Sequence, residues 1–82
     1  MKFADIGFGN LVSVERIVSV VDPDSLPVKT MIGQAREQGL LIDATRGRKT
    51  AGVLVADSGH VILSYYTPQR LVAVMAGGEE DE

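Results

Sequence analysis

Two apolar runs joined by a short turn constrain this chain more than any other feature. Residues 51–56 and 61–66 are rich in valine, leucine and isoleucine, and only the polar segment 57–60 separates them. Runs of this composition on either side of a glycine-containing turn predict a β-hairpin. The unbroken apolar stretch Val53-Leu54-Val55 further predicts that the first of the two strands is buried.

One helix with defined ends is predicted over about residues 26–38. Ser25 is a suitable N-cap, Pro27 is tolerated in a first turn, and Gly39 suits the position that follows a helix. The apolar residues between these ends follow the spacing of one helical face. They are Val28, Met31, Ile32 and Ala35. Residues 67–75 predict a short closing helix, with an extra strand as the alternative.

The N-terminal part of the chain is predicted to form strands. Ile6 and Phe8 should share one face, while Gly7 and Gly9 indicate a bulge or a close backbone approach, a structural role. Residues 11–21 are rich in β-branched side chains, but one continuous strand would place Arg16 on an apolar face. A turn or bulge at residues 14–16 would relieve this by making two shorter strands.

The predicted fold class is therefore α+β. We expect a small antiparallel β-sheet domain packed against the main helix, with the short C-terminal helix beside it. The 82 residues suffice for one domain, predicted to span residues 1–78. The remaining residues, 79–82, form an acidic tail of a kind that is usually disordered.

Composition narrows the classes of protein that this chain can belong to. The net charge of −3 arises from the tail, since residues 1–78 carry eight basic against seven acidic side chains. There is no cysteine for a disulfide, so self-association is the expected source of extra stability. No apolar run approaches the roughly 20 residues that span a bilayer. These features favour a cytoplasmic protein.

Three of the eight basic side chains fall within four positions of segment 42–50: Arg46, Arg48 and Lys49. Such a segment suits phosphate contact, because an arginine presents a planar fork and a lysine a point charge. Gly47 would let the backbone turn or approach a ligand closely. The alternative is that the segment is the solvated tip of a hairpin.

Three further cations have two interpretations each. Arg16 is either a surface side chain paired with an acid, or a fixed cation at a ligand or subunit contact. Lys29 and Arg36 align on the outer face of the predicted helix, where they form an electropositive stripe or simply a solvated face.

Catalytic and metal-binding constellations are not expected. His60 is the single histidine, and with no cysteine a zinc site would lack its usual ligands. Asp22-x-Asp24 lacks the glycine and the distal glutamate of a calcium loop. We therefore expect a binding module that is not an enzyme and uses no metal, cofactor or small-molecule substrate.

Six features of the chain, taken in order over about residues 3–66, resemble the bacterial RemA family, the extracellular matrix regulatory proteins. Arg16 precedes a strand rich in isoleucine and valine, and Pro27 opens the helix. The other four are Ile6-Gly7-Phe8-Gly9-Asn10, Gly39-x-Leu41-Ile42-Asp43-Ala44-Thr45, Gly47-Arg48-Lys49-Thr50 and Asp57-x-x-His60-Val61-Ile62-Leu63-Ser64.

The resemblance implies a small, nucleoid-associated DNA-binding protein that regulates transcription of biofilm-matrix genes. It also implies a ring-shaped homo-oligomer with double-stranded DNA along its outer surface. By position, Arg16, Arg48 and Lys49 match the basic residues that the family uses for DNA contact, and Pro27 matches a position important for function. Arg46 is an additional cation of the same loop, and Lys29 and Arg36 are secondary candidates for DNA contact.

Two departures from the family pattern affect this interpretation. A second arginine is common where this chain has Lys49, and a basic residue is common where it has Ala51. Lysine keeps the charge without the bidentate fork, which favours phosphate contact over base readout. The alternative function is a protein-interaction module that recruits an acidic partner without binding DNA.

Overall fold

The computed structural model describes residues 2–77; Met1 and residues 78–82, which include the predicted acidic tail, lie outside the described residues. The strands are β1 (Phe3–Asp5), β2 (Leu11–Ser13), β3 (Ile17–Val21), β4 (Leu41–Asp43), β5 (Gly52–Ala56) and β6 (Val61–Ser64). The helices are α1 (Leu26–Gln38) and α2 (Pro68–Met75), and a 3-10 turn covers Val14–Arg16. The predicted α+β fold class is confirmed.

The main helix has the predicted ends. The Ser25 hydroxyl accepts a hydrogen bond from the Val28 N–H at 3.4 Å. Gly39 ends α1 with φ of 75°, a left-handed conformation that glycine adopts without strain. The closing helix α2 begins in the same way, because the Thr67 hydroxyl accepts from the Arg70 N–H at 3.2 Å. A helix, and not the alternative strand, therefore follows β6.

Four strands form the central sheet in the order β3-β5-β6-β4. The hairpin of β5 and β6 lies in the middle and is antiparallel, with Val53 opposite Leu63 and Leu54 opposite Ile62. Because successive side chains point to opposite faces, this hairpin supplies apolar residues to both sides of the sheet. The prediction that the first strand of this hairpin is buried is confirmed for Gly52, Val53 and Leu54.

The prediction of an antiparallel sheet is wrong for one strand pair. β4 pairs with β6 in parallel, starting with Leu41 opposite Val61. A parallel pair requires a long crossover, and strand order of this kind is not visible in the local residue pattern. Since β6 lies between β4 and β5, residues 44–51 do not form a hairpin tip. This segment, called the basic loop below, crosses the end of β6.

Two layers cover the sheet. On one face, the α1 residues Val28 and Ala35 form a buried cluster with three residues of the sheet: Val53, Val61 and Leu63. The other face carries the β1–β2 hairpin and α2, and the buried residues there are Ile6, Ala44, Leu54, Ile62 and Leu71. Both clusters draw on β5 and β6, which explains why these two strands are the most buried elements of the chain.

The N-terminal prediction is partly confirmed and partly wrong. The 3-10 turn at Val14–Arg16 separates β2 from β3, as the position of Arg16 required. Ile6 is buried, but Phe8 does not share its face. Phe8 has φ of 58° and lies in the turn between β1 and β2, where its side chain is 40% exposed.

Candidate functional site

The basic loop begins with an anchored threonine. Thr45 is 2% exposed, and its hydroxyl and backbone N–H both donate to the Asp43 carboxylate oxygen Oδ1, at 2.6 and 2.9 Å. These two hydrogen bonds, assisted by the charge of Arg36, lower the pKa of Asp43 below its ordinary value. The carboxylate therefore fixes the point at which the loop leaves β4.

A tight turn follows the anchor. The Arg48 N–H donates to the Thr45 carbonyl oxygen at 3.0 Å, and the two central residues, Arg46 and Gly47, have φ of 54° and 80°. Positive φ at both central positions is typical of a type I′ turn, which favours Asn, Asp or Gly. Arginine at the first central position is therefore unusual.

The β1–β2 hairpin closes with a turn of the same kind. The Asn10 N–H donates to the Gly7 carbonyl oxygen at 3.1 Å, and the central residues Phe8 and Gly9 have φ of 58° and 80°. The Asn10 side-chain amide donates to the Gly7 carbonyl at 2.8 Å and reaches the Ala44 carbonyl at 3.5 Å. The two turns are thus joined side by side.

The two turns also meet through their side chains. The guanidinium carbon Cζ of Arg46 lies 5.5 Å from the centre of the Phe8 ring, and that of Arg48 lies 5.8 Å from it. Among residues 2–77, Phe8 and Arg46 are the two residues other than glycine with positive φ. The two strained backbone positions of the described chain are therefore in contact with each other.

Tyr65 completes the group. It follows directly after β6, at the strand end that the basic loop crosses, and its ring centre lies 5.7 Å from that of Phe8. The Arg48 Cζ atom is 5.9 Å from the centre of the Tyr65 ring. Phe8, Arg46, Arg48 and Tyr65 are all exposed, and we call them the arginine–aromatic cluster.

A buried serine connects the backbone segments under this cluster. The Ser64 side chain is fully buried, and its hydroxyl donates to the Ile6 carbonyl oxygen at 2.8 Å and accepts from the Tyr66 N–H at 3.0 Å. The Tyr66 ring packs against Gly7, and the Arg70 Cζ atom lies 4.0 Å from the centre of that ring. Arg70 therefore adds a fourth cation to this end of the sheet.

The structure separates the cations predicted from sequence. Lys49 follows Arg48 in the basic loop and is exposed. Arg16 lies at the other end of β5, where its carbonyl accepts from the Asp57 N–H and its guanidinium is 3.6 Å from the Asp57 carboxylate. Lys29 and Arg36 are exposed on α1, which covers the opposite face of the sheet from the β1–β2 hairpin.

The residues predicted to have structural or architectural roles each shape one turn of the backbone. Pro27 lies in the first turn of α1. Gly7 and Gly9, with φ of 117° and 80°, flank Phe8 in the turn between β1 and β2. The sequence pattern did not indicate that Phe8, Tyr65, Tyr66 and Arg70 belong to the site. A phenylalanine between two glycines was the one available signal for an aromatic side chain presented on a turn.

This arrangement can bind an anion. A guanidinium group held about 6 Å from an exposed ring centre still has N–H groups that can donate to solvent or to an anionic ligand. Within residues 2–77 there is no group of three His, Cys, Asp or Glu side chains that could hold a metal ion. In the same residues, no helix has the length and hydrophobicity needed to cross a membrane.

Comparison with known proteins gives a consistent result along the whole chain. The model of the RemA-like family, described as extracellular matrix regulatory protein A-like, matches residues 3–74. A protein of Dictyoglomus thermophilum named "Putative regulatory protein" is 49% identical over 82 residues, which are 100% of this chain and 96% of the relative. A Geobacillus thermodenitrificans protein of the same name is 49% identical over 80 residues, covering 98% and 92% of the two chains.

Proposed function

This chain belongs to the RemA-like family of regulatory proteins, and we propose that it is a DNA-binding regulator of transcription that acts on biofilm and extracellular-matrix genes. In this proposal it works in the cytoplasm, associated with the nucleoid, and it binds double-stranded DNA without catalysis. The observation that carries the proposal is the basic loop, whose cations are displayed on an anchored, exposed turn.

The chemistry of the loop favours the sugar–phosphate backbone as its ligand. Arg46, Arg48 and Lys49 are consecutive or nearly so, and all are exposed. Arginine binds phosphate oxygens through two parallel N–H groups, and lysine binds them as a point charge. Contacts of this kind position a protein on a duplex, whereas sequence is read by base-edge contacts. We therefore propose weakly sequence-specific binding.

Assembly of several copies would make this small patch effective. Among the described residues, large apolar side chains are exposed on both outer strands of the sheet: Val18 on β3 is 64% exposed and Ile42 on β4 is 45% exposed. Covering such surface favours self-association. Linked copies of a weak site gain affinity without any new contact, which supports the proposed ring-like homo-oligomer.

The test is fluorescence anisotropy with a labelled duplex across a salt series. Wild type is compared with Arg48→Ala/Lys49→Ala, and Lys2→Ala/Lys29→Ala is the matched control that removes the same charge from exposed positions outside the basic loop. Each lost phosphate contact lowers the slope of log K against log [salt] by about 0.9. We expect the loop variant to lose about 1.8 per subunit in contact, and the control to keep most of its slope.

Size-exclusion chromatography with light scattering checks that all three proteins assemble equally, with a mass of several subunits. Equal losses in the loop variant and the control variant would contradict a specific role for the basic loop. An assembled wild type that binds no duplex at low salt would refute DNA binding. An acidic protein partner would then be the next ligand to test on the same surface.

A further inference from the structure

We propose that Phe8 and Tyr65 are positioning residues of the basic loop. Their rings hold the guanidinium groups of Arg46 and Arg48 in fixed orientations, so that the N–H edges of both face an incoming phosphodiester. This inference rests on the proposed function, since it names the residues that prepare the same surface for its ligand. It adds two uncharged side chains to a site otherwise defined by charge.

The distances between the arginines and the rings favour a positioning role. Each of the two arginines lies within the roughly 6 Å of a ring centre at which a cation and an aromatic face attract. Arg46 contacts Phe8, whereas Arg48 contacts both Phe8 and Tyr65. Long exposed side chains lose rotational freedom when they bind a ligand, and a side chain that is already held loses less. The rings thus reduce the entropic cost of phosphate contact.

The backbone conformation of the two turns also favours a maintained contact between Phe8 and Arg46. Phe8 and Arg46 occupy the left-handed region, which is unfavourable for residues with large side chains, and surrounding structure has to maintain them there. Each is followed by a glycine that completes its turn. Two strained turns that meet through their first central side chains indicate a contact that the fold maintains, and that random surface packing would not produce.

Buried residues support the backbone that carries both rings. Phe8 sits two residues after Ile6, which is 1% exposed, and Tyr65 directly follows the fully buried Ser64. The Ser64 hydroxyl donates to the Ile6 carbonyl at 2.8 Å. The backbone segments that carry the two rings are therefore linked by a buried hydrogen bond. A site built on such rigid support keeps its geometry before the ligand arrives.

A different role for exposed rings is to stack on unpaired bases. The geometry favours positioning instead, because guanidinium groups already lie over the ring faces that a base would need. Binding of single-stranded DNA that exceeds binding of a duplex would contradict this assignment.

The first measurement is made on the free protein by NMR. The δ-methylene protons of Arg46 and Arg48 should show upfield ring-current shifts. Tyr65→Leu should reduce the shift at Arg48 and leave that of Arg46, whereas Phe8→Leu should reduce both. Tyr65→Phe keeps the ring and should keep the shifts. Phe3→Leu, which removes an exposed ring from β1, is the control for loss of aromatic surface.

The second measurement is duplex affinity with the same variants. Exposed cation–π contacts are weak, so we expect Tyr65→Leu to reduce affinity about two- to fivefold, and Phe8→Leu by as much or more. The slope against salt should not change, because no charge is removed. Tyr65→Phe should restore wild-type affinity. A merely structural role for the ring would lower the melting temperature without this pattern.

The outcomes separate the two proposals. Absent ring-current shifts in wild type, or unchanged affinity in both leucine variants, would overturn the positioning role even if DNA binds. Present shifts with no DNA binding by the assembled wild type would overturn the proposed function, and with it the phosphate role of the rings. Shifts, affinity loss and recovery in Tyr65→Phe together support the inference.

Discussion

Ser64→Ala should destabilise the protein although it removes only one oxygen atom. The hydroxyl is fully buried and makes two hydrogen bonds, to the Ile6 carbonyl at 2.8 Å and from the Tyr66 N–H at 3.0 Å. Its loss leaves a backbone donor and a backbone acceptor unpaired where water has little access. Such losses cost about 1–3 kcal/mol. For a domain of this size we expect the melting temperature to fall by roughly 5–20 °C.

The assay is urea unfolding followed by circular dichroism, with protein concentrations matched because self-association shifts apparent stability. Ser58→Ala is the control: this hydroxyl is exposed and contacts the His60 ring nitrogen Nδ1 at 2.7 Å. An exposed substitution of this type should change stability by less than about 0.5 kcal/mol. A Ser64→Ala variant as stable as Ser58→Ala would refute the role assigned to the buried bridge.

Two further predictions concern Gly52 and Asp43. In Gly52→Ala the new methyl group would overlap the Tyr66 carbonyl oxygen, so this variant should lose about 1–3 kcal/mol or more. Gly33→Ala, with open space around it, should be neutral or stabilising. Equal urea midpoints for Gly52→Ala and Gly33→Ala would contradict this difference. Because the pKa of Asp43 is lowered in the folded protein, its charge stabilises the fold above about pH 4, and this contribution disappears as pH falls through the lowered pKa. The stability difference between wild type and Asp43→Asn should therefore be larger at pH 7 than at pH 3, and equal differences in urea unfolding would refute the assignment.

Local sequence signals predicted the helices well. The cap at Ser25, the apolar spacing within α1 and the left-handed Gly39 act within one or two turns of chain, so their consequences can be read directly from the sequence. The parallel pairing of β4 with β6 could not be read in this way. It depends on which strand lies between β4 and β5, and that is decided by packing of the whole sheet.

The site, too, was predictable from sequence only where its residues are close neighbours along the chain. The basic loop was recognised because Arg46, Arg48 and Lys49 are neighbours in sequence. Phe8 and Tyr65 were missed because they are far apart in sequence and meet only when the loop crosses the end of β6. The expectation that Phe8 would share a face with Ile6 failed for a related reason: the positive φ of Phe8 turns it out of the strand alternation.

The position of Arg16 limits how one subunit can use its cations. Arg16 is bonded to Asp57 at one end of β5, and the basic loop ends at Ala51 beyond the other. The two points are six residue steps of extended chain apart, which is about 20 Å. One phosphate cannot be contacted from both ends. A ligand that contacts both Arg16 and the basic loop must be at least as long as β5. A contact between Arg16 and another subunit would not require a ligand of that length.

Charge distribution explains how an acidic chain could bind DNA and why assembly matters. Four of the eight cations collect at one end of the sheet: Arg46, Arg48, Lys49 and Arg70. At about 0.9 per phosphate contact, one subunit gives a slope of at most roughly 3.6, so its affinity would fall about 150-fold between 50 and 200 mM salt. Two subunits in contact would double the slope and square that loss, to about 20,000-fold. The salt slope of the assembled protein would therefore count the subunits that touch one duplex.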